Sequence, residues 1–262
     1  MSGIHEPVVS ESIRVEVAAP RMTITLDRPD RRNALSLALM TEVTKALRDV
    51  PSEVAAVVIS AAGPAFSAGH DLSEMIDRPA SFYDELFGVC TEMMETIQAI
   101  PQPVIARVHG VATAAGCQLV ASCDLAVAST EAWFGTPGVK IGLFCTTPAV
   151  PLVRAIGRKR AMEMLLTARP VDAETALQWG LVNRVVPPEQ LDAAVDEYVD
   201  TIASYSRHVI SIGKETFYRQ ASLSLDEAYR VAQPVMAENA GSPHAQEGMS
   251  AFLEKRSPRW PD

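Results

Sequence analysis

The stretch Val104-Ile-Ala-Arg-Val-His-Gly-Val-Ala-Thr-Ala-Ala-Gly-Cys-Gln-Leu-Val-Ala-Ser-Cys-Asp124 decides the fold. It opens as an apolar strand, passes through small residues only, and runs straight into a helix. Small side chains at such a turn let main-chain amides approach a ligand closely. The first N–H groups of a helix have no partner within it, so they point at whatever anion sits in front of them. Residues Phe66-Ser-Ala-Gly-His-Asp71 repeat the arrangement, following an apolar strand at 54–60. Two such turns can each offer one amide to a single oxygen, which is how an oxyanion hole is built.

Outward from these turns, alternating residues at 12–17 and 22–26 read as a hairpin. Residues 35–50 have helical spacing, with Asn33 or Ser36 as N-cap and Pro51 beyond the end. Residues 72–100 read as mostly helical, and 103–108 and 124–129 as further strands. Strands alternating with helices imply parallel pairing through crossovers. From Pro148 onward the pattern changes to helices at 148–156, 158–168, 172–180, 188–205, 206–220 and 223–254, separated by Gly or Pro. We therefore expect an α/β core over residues 1–200 and a helical C-terminal part over 201–262. Several late helices are apolar on more than one face, Ala161-Met-Glu-Met-Leu-Leu166 among them. Such surface packs against a partner subunit.

Composition narrows the function. At 262 residues with 48% hydrophobic and 21% charged residues, the chain has an ordinary globular composition. Arg107 and His109 interrupt the longest apolar run, which excludes a membrane span there. A net charge of −9 argues against nucleic acid. It leaves room for a small anionic ligand where cations gather, as at Arg28, Arg31 and Arg32, and at Lys255, Arg256 and Arg259. Cys90, Cys117, Cys123 and Cys145 form no CxxC pair, and the five histidines are scattered, so no metal constellation is expected. Residues 1–7 have neither signal-peptide nor transit-peptide character, and with the unpaired cysteines this gives a cytoplasmic expectation.

Six segments in this order resemble the crotonase (enoyl-CoA hydratase/isomerase) superfamily: Arg28-Pro-Asp-Arg-Arg-Asn-Ala-Leu35, Ala65-Phe-Ser-Ala-Gly-His-Asp-Leu72, His109 to Asp124, Phe134-Gly-Thr-Pro-Gly138, Ala176-Leu-Gln-Trp-Gly-Leu-Val-Asn-Arg-Val-Val186 and Gly248-Met-Ser-Ala-Phe-Leu-Glu-Lys-Arg256. The resemblance implies a spiral of ββα units with a helical trimerisation region, as a homotrimer or dimer of trimers. It implies an acyl-CoA thioester as substrate, coenzyme A being part of that substrate and not a separate cofactor, and a lyase or isomerase of fatty-acid metabolism. The thioester oxygen would rest on the amides of His70 and Ala115. Coenzyme A would lie against Ala68, Asp71 and Leu72, with Arg31 and Arg32 near its phosphates and Phe252 and Lys255 coming from a neighbouring subunit.

The departures from the pattern matter as much. Hydratases carry two glutamates where this chain has Gln118 and Gly138. General acid–base catalysis needs a group that ionises; an amide does not, and glycine has no side chain. His70 stands where the family more often has a small residue and resembles the acyl-CoA decarboxylase branch, of the methylmalonyl-CoA type. Phe144 and Cys145 stand about where that branch has a tyrosine, as a possible pocket wall. Three readings stay open: a divergent hydratase/isomerase, a decarboxylase, and a non-catalytic acyl-CoA-binding protein.

Overall fold

The computed structural model describes residues 8–9 and 12–261. The leader reading of residues 1–7 lies outside them. In chain order the strands are β1 (Val8–Val9), β2 (Ile13–Ala18), β3 (Arg21–Leu26), β4 (Ala56–Ala61), β5 (Ala65–Ser67), β6 (Val104–Val108), β7 (Val111–Thr113), β8 (Leu125–Ser129), β9 (Trp133–Gly135), β10 (Val171–Asp172) and β11 (Arg184–Val186). The helices are α1 (Leu37–Arg48), α2 (Ala80–Ala99), α3 (Ala115–Ser122), α4 (Thr146–Thr167), α5 (Ala173–Trp179), α6 (Leu191–Ala203), α7 (Arg207–Gln220), α8 (Leu225–Gly241) and α9 (Pro243–Glu254).

Two sheets share the strands. The larger runs β1-β2-β3-β4-β6-β8-β11 and the smaller β10-β9-β7-β5. The expected hairpin is antiparallel, and from β3 to β11 the larger sheet is parallel. The chain climbs as a spiral. β4, β6 and β8 enter the larger sheet, and each is followed by a short strand, β5, β7 or β9, in the smaller one. This is the crotonase spiral that the resemblance implies. Residues 56–59 on β4 and 104–106 on β6 are buried without alternation, as strands covered on both faces must be. Phe66, Phe134, Leu39, Met93 and Ile97 fill the space between sheets and helices.

Several elements differ from the sequence expectation. Ser36, not Asn33, caps α1, its hydroxyl accepting the Leu39 N–H at 3.2 Å. Asn33 is fully buried at φ +52° and its amide donates to the Ala62 and Ala65 carbonyls at 2.7 and 2.8 Å. Residues 72–100 begin as a single 3-10 turn, and α2 starts only after Pro79. The expected helices 148–156 and 158–168, by contrast, are both present within α4, parted at Gly157, which sits at φ +77°. The expected helix 223–254 is two, because Ser242 precedes Pro243; a residue before proline is pushed out of helical conformation, and Ser242 caps α9 instead. The short strands β5, β7, β9, β10 and β11 are too brief to show a period.

The C-terminal helices are tied to the core by one buried cluster. Lys214 on α7 donates to the Ile97 and Gln102 carbonyls and to Asp124 at 2.7–2.8 Å, and the Tyr218 hydroxyl donates to the same carboxylate. Beyond that anchor, α7 and α8 bound an open apolar groove of about 810 Å³ lined by Val209, Phe217, Tyr229 and Met236.

Candidate active site

Two glycines bring the turns of 67–71 and 113–116 into contact. A Cβ on Gly116 would meet the Ser67 backbone carbonyl and lie 2.8 Å from Ser67 Cβ. One on Gly69, at φ +90°, would lie 2.8 Å from Ala114 Cβ and 3.3 Å from the Ala115 nitrogen. Only glycine fits either place. Ala114 adopts φ 49°, ψ −118°, a conformation L-residues avoid at a cost of about 1–3 kcal/mol. Its own N–H donates to the Gly135 carbonyl at 2.8 Å, which fixes the turn from behind.

The consequence lies in the amides. Leu35 N–H donates to the Gly69 carbonyl and Asp71 N–H to the Leu35 carbonyl, so the bridge passes over His70 and leaves its N–H without a partner among the described residues. Ala115 is the first residue of α3, and its N–H has no partner within the helix. Two free amides thus sit on adjoining, interlocked turns.

The loop of 28–34 is stapled to the same place. Ala68 N–H donates to the Arg32 carbonyl at 3.0 Å, the Ser67 hydroxyl to the Asn33 carbonyl at 2.9 Å, and Arg28 pairs with Asp71 at 3.1 Å. Arg31, Arg32, Ala68, Asp71 and Leu72 are therefore brought together. Arg31, Arg32 and Leu72 are exposed, and neither arginine pairs with a carboxylate among the described residues. Burial pushes the Asp71 carboxyl up, but Ser73 and Arg28 outweigh it and hold it below the ordinary range. Phe252 and Lys255 are not brought to these turns within one chain. α9 packs on α7 and α8, Phe252 is 83% exposed, and Lys255 closes the helix at φ 56°.

Gln118 is buried on α3, and its Oε1 meets the Cys90 thiol of α2 at 4.0 Å. Gly138 is buried too, and its φ is ordinary. A side chain there is excluded for another reason. The chain folds back so that Leu143 N–H donates to the Gly138 carbonyl at 2.9 Å. The Leu143 carbonyl then fills the position of a Cβ at 138, with Cys145 Sγ 2.7 Å from it. Phe144 and Cys145 do not form one wall: Phe144 is exposed and Cys145 buried. Burial pushes the Cys145 thiol up, the Gly138 backbone opposing, and it pushes Cys90 and Cys117 to about 12. These thiols are protonated at neutral pH and make poor nucleophiles.

His70 is the chemical anomaly. Both ring nitrogens are buried and neither has a hydrogen-bond partner among the described residues. The ring stands edge-on to Phe87 of α2, centroids 5.3 Å apart. Burial lowers its pKa; the Leu35 backbone pulls the other way without reaching hydrogen-bonding geometry. Another buried orphan, the Thr136 hydroxyl, lies two residues before Gly138. Nothing in the sequence pattern singles out Phe87 or Leu143, or ties Cys90 to Gln118. They reach the site only through tertiary packing.

Interlocked glycine turns with free amides, set in a spiral of paired strands, define a crotonase. The chain belongs to the enoyl-CoA hydratase/isomerase family, whose model matches residues 18–262. It is 49% identical over 240 residues to the mouse enoyl-CoA hydratase domain-containing protein 3, mitochondrial, a match covering 90% of this chain and 80% of the mouse protein. A crystal structure of human enoyl Coenzyme A hydratase domain-containing protein 3 superposes with a TM-score of 0.93 at 44% identity, covering 95% of this chain and 100% of that one. A Mycobacterium smegmatis enoyl-CoA hydratase superposes with a TM-score of 0.93 at 47% identity, covering 96% and 99%. The cytoplasmic expectation is corrected here, because the mouse, rat and human relatives are named mitochondrial. Among the described residues no helix is long and apolar enough to cross a membrane, and no group of side chains could hold a metal.

Proposed function

We propose that the chain binds an acyl-CoA thioester of fatty-acid metabolism and stabilises its enolate, without the acid–base pair of a hydratase. The observation that carries this is the pair of unbonded amides, His70 N–H and Ala115 N–H, on turns locked together by Gly69 and Gly116. An enolate places negative charge on the thioester oxygen, and fixed donors stabilise it where it forms. One such donor is worth about 3 kcal/mol in other enzymes. Arg31, Arg32, Ala68, Asp71 and Leu72 form the coenzyme A side of the site. Phe252 and Lys255 reach it from a neighbouring copy, the chain assembling through residues 201–262 as a homotrimer or dimer of trimers. Coenzyme A arrives as part of the substrate.

Gln118 can orient a carbonyl or a water, and Gly138 can contribute only backbone. That favours reactions needing an enolate but no carboxylate pair. Decarboxylation is the second such reading, because loss of carbon dioxide itself generates the enolate. The test is a structure with acyl-CoA bound, expected to place the thioester oxygen roughly 3 Å from both nitrogens. An oxygen turned to solvent would sink the assignment. A panel of crotonyl-, malonyl- and methylmalonyl-CoA, assayed for turnover beside binding, separates the enzymatic readings from a purely binding one.

A further inference from the structure

We propose that the His70 imidazole is itself a base that removes the α-proton of the bound acyl group, giving the chain an enolisation activity on saturated acyl-CoA. The proposal rests on the thioester reading above. Three observations carry it.

First, both ring nitrogens are buried and have no partner among the described residues. Buried polar atoms in folded proteins nearly always have a partner, so an imidazole with none awaits one. Second, the ring adjoins both the amide pair and the Gln118 side of the site. It springs from the residue whose own N–H is one of the two free amides. It also stands against Phe87 of α2, while the Gln118 carboxamide stands against Cys90. Phe87 and Cys90 are about one helical turn apart, roughly 5 Å, on one face of α2. The imidazole and the carboxamide therefore line the same wall.

Third, no side chain among the described residues claims the ring, and the Leu35 backbone beside it falls short of hydrogen-bonding geometry. Asp71, its chain neighbour, is engaged by Arg28 and Ser73, and no carboxylate pairs with His70 among the described residues. One turn along α2 from Phe87, the Cys90 thiol lies against Gln118 and stays protonated. Burial keeps the imidazole neutral at neutral pH, the form that accepts a proton.

The step balances without a co-reactant. The Cα–H bond breaks and its proton goes to a ring nitrogen. The bonding pair forms the Cα–C double bond, and the carbonyl π pair moves to the oxygen held by the two amides. Reversal returns a proton to Cα, and in heavy water a deuteron exchanged at the imidazolium returns instead. No second carboxylate is required, which suits a site with Gln118 and Gly138.

The test uses the full chain and butyryl-CoA in heavy water, with α-deuterium read by mass spectrometry and affinity measured in parallel. Wild type is expected to catalyse incorporation, and His70→Gln to lower the rate by about 10²-fold or more, the usual contribution of a general base. Affinity should change little, because the amide survives. Should His70→Gln not fold, His70→Ala with added imidazole replaces it, and restored exchange supports the proposal. Wild-type protein that binds butyryl-CoA without exchanging it overturns the proposal, as does undiminished exchange in folded His70→Gln. If butyryl-CoA does not bind wild type at all, the thioester reading fails and the proposal with it.

Discussion

At Gly69 and Gly116 the absence of a Cβ lets one turn press against another, and two amides are left free. At Gly138 the same absence is filled by the chain itself, with the Leu143 carbonyl and the Cys145 sulfur where a side chain would start. The two regions show how unequally a site can diverge. Amide donors belong to the backbone, so they persist as long as the turn keeps its glycines. Acid–base groups belong to side chains, and one substitution removes them. A fold can therefore keep the means to stabilise an enolate after losing the usual means of forming one.

The largest expected effect follows directly. General acid–base groups contribute about 10²- to 10⁴-fold each, and both glutamate positions lack a group that ionises. Hydration of crotonyl-CoA by the wild-type chain should fall short of a two-glutamate hydratase by at least that factor in a spectrophotometric assay. Family-like rates would break the comparison, because the 138 region would then not matter to the chemistry.

Restoring the glutamates sharpens it. Gln118→Glu alone is sterically simple, since the side chain already lies against Cys90. Adding Gly138→Glu forces the Leu143 carbonyl and Cys145 aside, and overpacking of this kind costs about 1–3 kcal/mol. The double variant should melt lower and gain little hydration. A double variant with wild-type melting and a large gain would show that the 139–145 segment gives way easily.

The spiral was legible because β4 and β6 are unbroken apolar runs and because the small-residue turns after β5 and β7 precede a 3-10 turn and a helix. The free amides were legible for the same reason, since they depend on local sequence. What hid was non-local. Asn33 looked like a cap, yet its carboxamide staples two carbonyls thirty residues away. Leu143 had no distinguishing pattern, because its role lies in a carbonyl placed by Gly142 at φ +79°. His70 stood out as an unusual residue, but its unpartnered nitrogens depend on α2 packing across it. The second sheet was invisible because strands of two or three residues have no period.

A smaller effect reads the protonation of His70 through stability. Its pKa is lowered by burial, so the unfolded chain binds a proton more readily than the folded one. Stability from this group is fully present above the ordinary imidazole value of about 6.5 and is lost as pH falls from there toward the lower folded value. Melting temperature should decline between about pH 7 and pH 5, and His70→Gln should flatten part of that decline. His109, also lowered by burial, supplies a share that persists in the variant. An unchanged slope in His70→Gln would mean that the ring is solvated in solution.

The smallest expected effect concerns the neighbour. Lys255 closes α9 and pairs with no carboxylate among the described residues, whereas Arg256 beside it is engaged by Glu247 and Glu254. If Lys255 reaches the coenzyme A phosphates of an adjacent copy, Lys255→Ala should weaken affinity a few-fold. The loss should shrink as salt rises, since exposed charge contacts are screened beyond about 8–10 Å at physiological ionic strength. Arg256→Ala is the informative partner variant. It breaks an intrachain network on the same turn, so it should lower the melting temperature of α9 without that salt-dependent change in affinity. Equal affinity losses for both variants would assign the effect to helix stability, and an unchanged affinity in Lys255→Ala would leave coenzyme A to Arg31 and Arg32 alone.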